Sequence, residues 1–260
     1  MSFPDLREVA RRIERAEAEQ LARTGEPGMR GALEVAGGLA VSKGPGSPFS
    51  AALGLGLQGA VSAAELDRVE AHLGSGGGAI RVEVAAPADA SLRAELARRG
   101  YRIERFHQIW WRAPSPLPDV VASVEVRRIR PEEERAWAEA FAVAYFGRMP
   151  QYASMLEGLL AMPRADGNVA FGAFAEGELA GVALASGHRG VATLSGAGVV
   201  PERRGRRIQL ALVRARLAWA EAAGCDLASS ATEPGTASQR TLEKAGFRCA
   251  YPRAVMVRER

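Results

Sequence analysis

Apolar and polar residues alternate in the second half of the chain in a way that predicts short strands separated by helices. Runs with a period of two are typical of strands, and runs with a period near 3.6 are typical of amphipathic helices. The predicted strands span residues 124–130, 169–175, 178–185, 192–200, 226–232 and 247–257. The predicted helices span residues 131–145, 151–162, 207–223 and 237–244. The order is strand, two helices, three antiparallel strands, helix, strand, helix, strand.

The first half shows the same kind of pattern with a different beginning. A helix is predicted over residues 5–23, because Leu6, Val9, Ile13 and Ala16 form one apolar stripe. Strands are predicted at residues 32–36, 38–42 and 51–57. The next helix begins at Ser62, where Ser62 and Glu65 have the spacing of a capping box.

An internal repeat links the two halves. The segment LARRGYRIERFHQIWWR, ending at Arg112, aligns with LEKAGFRCAYPRAVMVR, ending at Arg258, and Gly100 then coincides with Gly246. Such self-similarity indicates a duplicated supersecondary unit. The proline-rich segment 113–123 separates the copies, because prolines at alternate positions favour extended chain. We therefore predict two domains, residues 1–122 and residues 123–260.

Four arginines stand where the helix 207–223 is predicted to begin: Arg203, Arg204, Arg206 and Arg207 surround Gly205. A helix N-terminus carries a partial positive charge, so arginines there are unfavourable unless an anion lies among them. A strand, a glycine and then a helix is also the usual order of elements at a phosphate site. The alternative is a solvated basic loop, since all basic residues except Lys43 and Lys244 are arginines.

Composition narrows the function classes. The chain has 260 residues, 47% of them hydrophobic, and 34 basic residues against 30 acidic ones. This mixed charge does not favour a general nucleic-acid-binding protein. Cys225 and Cys249 lie far apart without neighbouring ligand residues, which supports neither a metal site nor a disulfide framework. Without an apolar leader or a long apolar run, we expect a cytoplasmic protein with no membrane association.

The arginine segment and the C-terminal helix resemble those of the GCN5-related N-acetyltransferases, the GNAT family. The family signature, Arg/Gln-x-x-Gly-x-Gly/Ala, falls on Arg204–Gln209, with Arg207 at the central glycine and Gln209 at the final Gly/Ala. The run ASQRTLEKAGF is similar to the family's fourth helix and its Gly-Phe pair. The resemblance covers residues 124–258, and the repeat extends it to a degenerate N-terminal copy, GLQGAVSAAE replacing the arginine segment.

The resemblance implies a mixed α/β (α+β) fold of two tandem GNAT-like domains, each a mixed, mostly antiparallel sheet flanked by helices. It implies acetyl-CoA as cosubstrate, an amine acceptor, and direct acetyl transfer between them. The pantetheine arm is expected at Val199 and Val200. The residues expected to bind the phosphates are Arg204, Gly205, Arg206, Arg207, Ile208 and Gln209.

The catalytic groups are less well defined by the resemblance. The family's general acid, a tyrosine, corresponds to Leu242, which cannot donate a proton. Glu233, after the strand 226–232, is a candidate general base acting through water. Ser238 is a candidate contact to the pantetheine or its sulfur, with a helix-start hydroxyl as the alternative.

Three functions remain open from the sequence. The first is an acyl-CoA-dependent N-acetyltransferase, as a monomer or a homodimer and without a metal. The second is a non-catalytic tandem module that binds CoA or a protein partner, which Leu242 and Arg207 favour. The third is a nucleic-acid-binding protein, which the mixed charge and the lack of interleaved aromatic residues disfavour.

Overall fold

The structure is a computed structural model that describes residues 5–23, 31–44, 47, 49–74, 78–118, 124–147 and 153–259. Its helices are α1 (Leu6–Arg23), α2 (Ala63–Gly74), α3 (Ala90–Arg98), α4 (Glu134–Phe146), α5 (Ala153–Arg164), α6 (Ile208–Ala222) and α7 (Ala237–Lys244). Its strands are β1 (Gly31–Val35), β2 (Gly38–Ser42), β3 (Ala51–Leu53), β4 (Ile80–Ala85), β5 (Arg102–Arg112), β6 (Glu125–Arg128), β7 (Asn168–Ala175), β8 (Glu178–His188), β9 (Val191–Val199), β10 (Leu227–Thr232) and β11 (Arg248–Arg258).

The described residues form two compact units. Unit 1 takes its residues from 1–109, 231–234 and 249–260, and unit 2 from 110–230 and 235–248. Strand β11 therefore joins unit 1 although it is the last strand of the chain. The predicted boundary between residues 1–122 and 123–260 lies outside the described residues. That division stays a prediction.

Unit 1 contains a sheet with the strand order β1-β2-β3-β4-β11-β5. Strands β1, β2 and β3 pair antiparallel, β3 pairs parallel with β4, and β11 pairs antiparallel with β4. The predicted stripe of α1 is confirmed at Val9, Ile13 and Ala16, which are buried, whereas Leu6 is exposed at the first helical residue. The predicted strand 51–57 is wrong beyond Leu53, because left-handed glycines end the extended backbone there.

Buried ion pairs hold β11 against the rest of unit 1. Arg253 of β11 is 1% exposed, and its guanidinium lies 3.3 Å from Glu14, 2.8 Å from Glu17 and 2.9 Å from Glu83. The Tyr251 hydroxyl also donates to Glu14, at 2.9 Å. Helix α1, strand β4 and strand β11 thus each contribute a charge to one cluster, so the end of the chain is fixed to its beginning.

One cation among three carboxylates cannot neutralise all of them. Burial raises the pKa of Glu14 to about 7, against the attraction of Arg253. Burial would also raise the pKa of Glu83, but Arg253 and the His107 imidazole, 3.7 Å away, lower it to about 2. Glu14 therefore carries the proton that balances the cluster in mildly acidic solution.

The internal repeat is confirmed where α3 and α7 end. Gly100 and Gly246 follow these helices with φ values of 78° and 75°. The next residue folds back in both copies: the Tyr101 amide donates to the Leu96 carbonyl and the Phe247 amide to the Leu242 carbonyl, each at 3.0 Å. This is the glycine-ended helix cap, in which a left-handed residue lets the chain return over the last turn.

Unit 2 contains a sheet with the strand order β10-β9-β8-β7-β6. Strands β6 to β9 pair antiparallel, and β10 pairs parallel with β9. Alternate residues of β8 enter different clusters: Ala183 and Ala185 pack with α6, whereas Val182 and Leu184 pack with α4. The sheet therefore has helices on both faces. Helix α6, which directly follows the arginine segment, covers one face, and α4 covers the other.

Replacing Arg253 by methionine should strongly destabilise the protein, because Glu14, Glu17 and Glu83 would lose the cation that they surround. We expect Arg253→Met to lower the free energy of unfolding by about 3–5 kcal/mol. The measurement is equilibrium denaturation with urea. The matched control is Arg11→Met, which removes an exposed arginine paired with Glu8 on α1 and should change stability by less than about 1 kcal/mol. Equal effects of the two substitutions would contradict this role of Arg253.

Glu14 should make stability depend on pH. Because its folded-state pKa of about 7 lies above the ordinary 4.5, the folded protein keeps a proton that the unfolded chain has lost between these values. The Glu14 contribution to stability is therefore present below pH 4.5 and declines as the pH rises to 7, by up to about 3 kcal/mol. Glu14→Gln should flatten this decline in denaturation curves at several pH values. An undiminished decline in that variant would assign it to another group.

Candidate functional site

The candidate site lies where β9 and β10 separate. The two strands pair only from Val191 and Leu227 to Thr193 and Ser229. One residue further, the Ser230 hydroxyl donates to the Leu194 carbonyl at 2.7 Å. Strand β9 then continues along β8 without β10, so one edge of its backbone is open towards the arginine segment.

A bulge in β9 accompanies this separation. Ser195 pairs with Leu184, and Gly198 pairs with Val182, so Gly196 and Ala197 stand opposite Ala183 alone. Gly196 has φ 55°, a left-handed conformation that glycine adopts without strain. A bulge bends its strand and increases the local twist. It therefore directs the last residues of β9 away from the line of β10.

The backbone between β9 and α6 leaves amide groups free. After a 3-10 turn at Pro201–Arg203, Gly205 has φ 81° and Arg207, the residue that precedes α6, has φ 58°. The first helical hydrogen bond runs from the Ala211 amide to the Arg207 carbonyl. Among the described residues, no acceptor binds the three amides between them, those of residues 208–210. Free amides at the positive end of a helix are the kind of donor that binds an anion.

Arg207 is a costly residue at this position. Its left-handed backbone explains why the related signature has glycine there, since a side chain in this conformation costs on the order of 1 kcal/mol. The guanidinium is exposed and has no partner among the described residues. The same is true of Arg206, so both side chains are available to a ligand.

The four arginines do not act as one group. Arg203 turns to the β7–β8 hairpin, where it lies 3.3 Å from Glu176 and 3.2 Å from Glu178. Arg204 donates to the carbonyls of Val199 at 3.2 Å and Ala144 at 3.3 Å. Arg203 thus has carboxylate partners of its own, and the expectation that all four arginines surround one anion stays a prediction.

A cavity of about 620 Å³ opens at the N-terminus of α6. Most of the residues expected to bind the cofactor line this cavity, namely Val199, Arg204, Gly205, Arg206, Arg207, Ile208, Gln209 and Ser238. Val200 is not among its lining residues, and its amide donates to the Ala180 carbonyl at 3.1 Å. The other lining residues are Ala144, Ala197, Gly198, Arg203, Leu210, Ala237, Arg240, Thr241 and Lys244.

The charged side chains that line this cavity are all positive. Its lining includes six cationic side chains and, among the described residues, no carboxylate. Sequence reasoning missed Arg240 and Lys244, which lie one turn apart on α7. Their spacing of four residues places them on one helix face, and that signal was available in the sequence. The cavity therefore suits a ligand with several negative charges.

Ser238 is not the cap of α7. The Thr236 hydroxyl takes that role by accepting from the Gln239 amide at 3.3 Å. The Ser238 hydroxyl lines the cavity and has no hydrogen bond to any described residue. The helix-start alternative for Ser238 is therefore wrong, and its proposed contact with a ligand stays a prediction.

The other candidate positions lie apart from the cavity lining. Glu233 belongs to unit 1, where its 59% exposed side chain lies 3.9 Å from the Arg105 guanidinium. Leu242, on α7, is 3% exposed and packs in the same core cluster as the inward residues of α6. The role of Glu233 as a base stays a prediction, and position 242 supplies no proton donor.

The corresponding helix of unit 1 has no such anion site. At the start of α2, the Ser62 amide donates to Glu65 at 2.8 Å and the Glu65 amide donates to the Ser62 hydroxyl at 3.3 Å. The Val61 amide is also bonded, to the Ser91 hydroxyl at 2.8 Å. The predicted capping box is confirmed, and a carboxylate already occupies the positive end of this helix.

Two further features are absent from the described residues. Within the described ranges, no helix combines the length and the apolar character needed to cross a membrane. The same residues hold no group of three or more His, Cys, Asp or Glu side chains arranged for a metal ion.

Comparison with known proteins agrees with this architecture. Residues 126–247 match the family model described as Acetyltransferase (GNAT) family. A GCN5-related N-acetyltransferase from Kribbella flavida has a TM-score of 0.70 at 15% identity, over 96% of this chain and 95% of that one. A tandem GNAT protein from the clavulanic acid biosynthesis pathway has a TM-score of 0.61 at 16% identity, over 98% and 94%.

A third solved structure matches a smaller part of the chain. It is a GCN5-related N-acetyltransferase from Sphaerobacter thermophilus, with a TM-score of 0.58 at 20% identity, over 75% of this chain and 64% of that one. No curated protein sequence is significantly similar to this chain. The structural matches, which cover 96% and 98% of the chain, show a tandem GNAT fold. Residues 126–247 are similar in sequence to the GNAT acetyltransferase family.

Proposed function

We propose that the protein is an N-acetyltransferase that takes acetyl-CoA as cosubstrate and transfers its acetyl group to an amine. The observation that carries this proposal is the cavity at the start of α6, where free backbone amides meet cationic side chains and none of the described lining residues is a carboxylate. CoA has a pyrophosphate and a 3′-phosphate, so it needs both kinds of donor. The match of residues 126–247 to the GNAT family model supports the reaction class.

The residues of the cavity fit the parts of CoA. The amides of residues 208–210 suit the pyrophosphate, because the dipole of α6 adds to their hydrogen bonds. Arg206 and Arg207, which precede α6, and Arg240 and Lys244 of α7 suit the 3′-phosphate. The open edge of β9 offers backbone groups to the amides of the pantetheine arm, as expected at Val199.

Acetyl transfer forms a bond between the amine nitrogen and the acyl carbon and breaks the bond between that carbon and sulfur. The amine loses a proton and the thiolate gains one. With Leu242 buried, we assign the second proton to the Ser238 hydroxyl or to water that it holds. Glu233 is proposed as the base that receives the first proton through water.

A second candidate function is a CoA-binding module without catalysis. The observation in its favour is Leu242, whose burial removes the general acid that the family resemblance implies. This alternative predicts binding of CoA without turnover, so binding and transfer are tested separately.

Binding of acetyl-CoA should depend on Arg206 and not on Arg203. In calorimetric titration we expect the wild type to bind, and Arg206→Ala to weaken binding about 5- to 10-fold by removing a charged phosphate contact. Arg203→Ala is the matched control, since its guanidinium is held by Glu176 and Glu178, and its affinity should stay within about 2-fold. Absence of heat with the wild type would refute acetyl-CoA as ligand.

Turnover should depend on Ser238. In a thiol-release assay over a panel of amines, Ser238→Ala should lower kcat at least about 10-fold if its hydroxyl helps protonate the leaving thiolate. Thr241→Ala is the control, because this second cavity hydroxyl already donates to the Ala237 carbonyl at 3.0 Å. Its kcat should stay near the wild-type value. A wild type that binds acetyl-CoA but releases no thiol with any amine would instead support the non-catalytic module.

A further inference from the structure

Arg216, in the middle of α6, is buried without a carboxylate partner. Its side chain is 2% exposed, and its contacts are backbone carbonyls: Leu212 at 3.1 Å, Leu184 at 3.2 Å and Ser195 at 3.3 Å. No described residue forms an ion pair with it. The other buried arginine, Arg253, has three carboxylates around it.

Stability alone does not account for an arginine at this position. Burying an ion without a counter-charge costs several kcal/mol, and an apolar side chain of similar size is often neutral or better. The neighbouring inward residues of α6, Leu212, Val213 and Leu217, are apolar and belong to the core. Burial also lowers the pKa of Arg216 to about 9, which leaves the guanidinium charged in neutral solution.

Two of the three carbonyls that Arg216 binds lie beside the bulge in β9, one on β8 and one on β9. Ser195 and Leu184 are the last register pair before the bulge, and the same guanidinium nitrogen, Nη1, contacts both carbonyls. The guanidinium thus holds β8 and β9 together at the point where their regular pairing is interrupted.

The peptide group between Ser195 and Gly196 connects this cation to the open edge of β9. In a trans peptide, the carbonyl and the N–H point in opposite directions. Since the Ser195 carbonyl points to Arg216 on the β8 side, the Gly196 amide points to the side from which β10 has separated. Its neighbours Ala197 and Gly198 line the cavity.

We propose that Arg216 is a positioning residue for acyl transfer: it fixes the bulge and polarises the Ser195–Gly196 peptide, whose amide then donates to the acyl oxygen of the thioester. This inference rests on the proposed function. Negative charge develops on that oxygen as the carbon–nitrogen bond forms. The charge is lost when the carbon–sulfur bond breaks and the carbonyl double bond forms again. A cation on the carbonyl end of the peptide strengthens its N–H as a donor. Arg216 itself transfers no proton.

The test uses the infrared band of the thioester carbonyl in acetyl-CoA labelled with ¹³C at that carbon. Bound to the wild type, the band should lie at lower frequency than in free acetyl-CoA, because the hydrogen bond polarises the carbonyl. In Arg216→Met the band should return to the free position, while CoA affinity stays within about 3-fold, since the phosphates bind at the other end of the site. Arg216→Lys, which keeps the cation, should retain part of the shift.

The matched control is Arg214→Met. Arg214 lies on the same helix but donates to the Leu117 carbonyl, so the carbonyl band should keep its wild-type position. If Arg216→Met does not fold, the test rests on Arg216→Lys. A carbonyl band of that variant at the frequency of free acetyl-CoA, or at the wild-type frequency, would overturn the proposal. A wild-type band at the free frequency would also overturn it while leaving acetyl-CoA binding established. Failure of the wild type to bind acetyl-CoA would overturn both.

Discussion

The separation of β9 from β10 is the constraint on which the proposed site depends. Two parallel strands normally continue side by side, yet these two pair over only three residues. The bulge at Gly196 bends β9, and the Ser230 hydroxyl takes the Leu194 carbonyl in place of a backbone partner. The open strand edge, the cavity and the free end of α6 all follow from this divergence.

The two buried arginines illustrate different uses of a costly charge. Arg253 lies among carboxylates and fixes the last strand in unit 1, so its charge serves the fold. Arg216 donates only to carbonyls, and two of these, on β8 and β9, lie beside the bulge next to the cavity. A charge buried without compensation is expected at functional sites, where local stability is given up for geometry or electrostatics.

The sequence predicted the features that local patterns determine. The capping box at Ser62 follows from residues within one turn of each other. The repeat aligned Gly100 with Gly246, and both glycines end helices. The anion site was inferred from the four arginines around Gly205 where a helix begins, and it stays a prediction.

Features that depend on distant residues were not predictable in the same way. The pairing of Arg203 with Glu176 and Glu178 requires the β7–β8 hairpin to lie beside the arginine segment. Membership of β11 in unit 1 depends on partners more than 150 residues away, as the register with β4 shows. The burial of Arg216 was hidden, because an arginine on a helix is ordinarily a surface residue.

A crystal structure with CoA would show whether the start of α6 holds the phosphates. We expect pyrophosphate oxygens within hydrogen-bonding distance, about 3 Å, of the backbone nitrogens of residues 208–210. We also expect the 3′-phosphate among Arg206, Arg207, Arg240 and Lys244, and the pantetheine arm along the open edge of β9. Phosphates bound elsewhere, with the start of α6 left to solvent, would contradict this expectation.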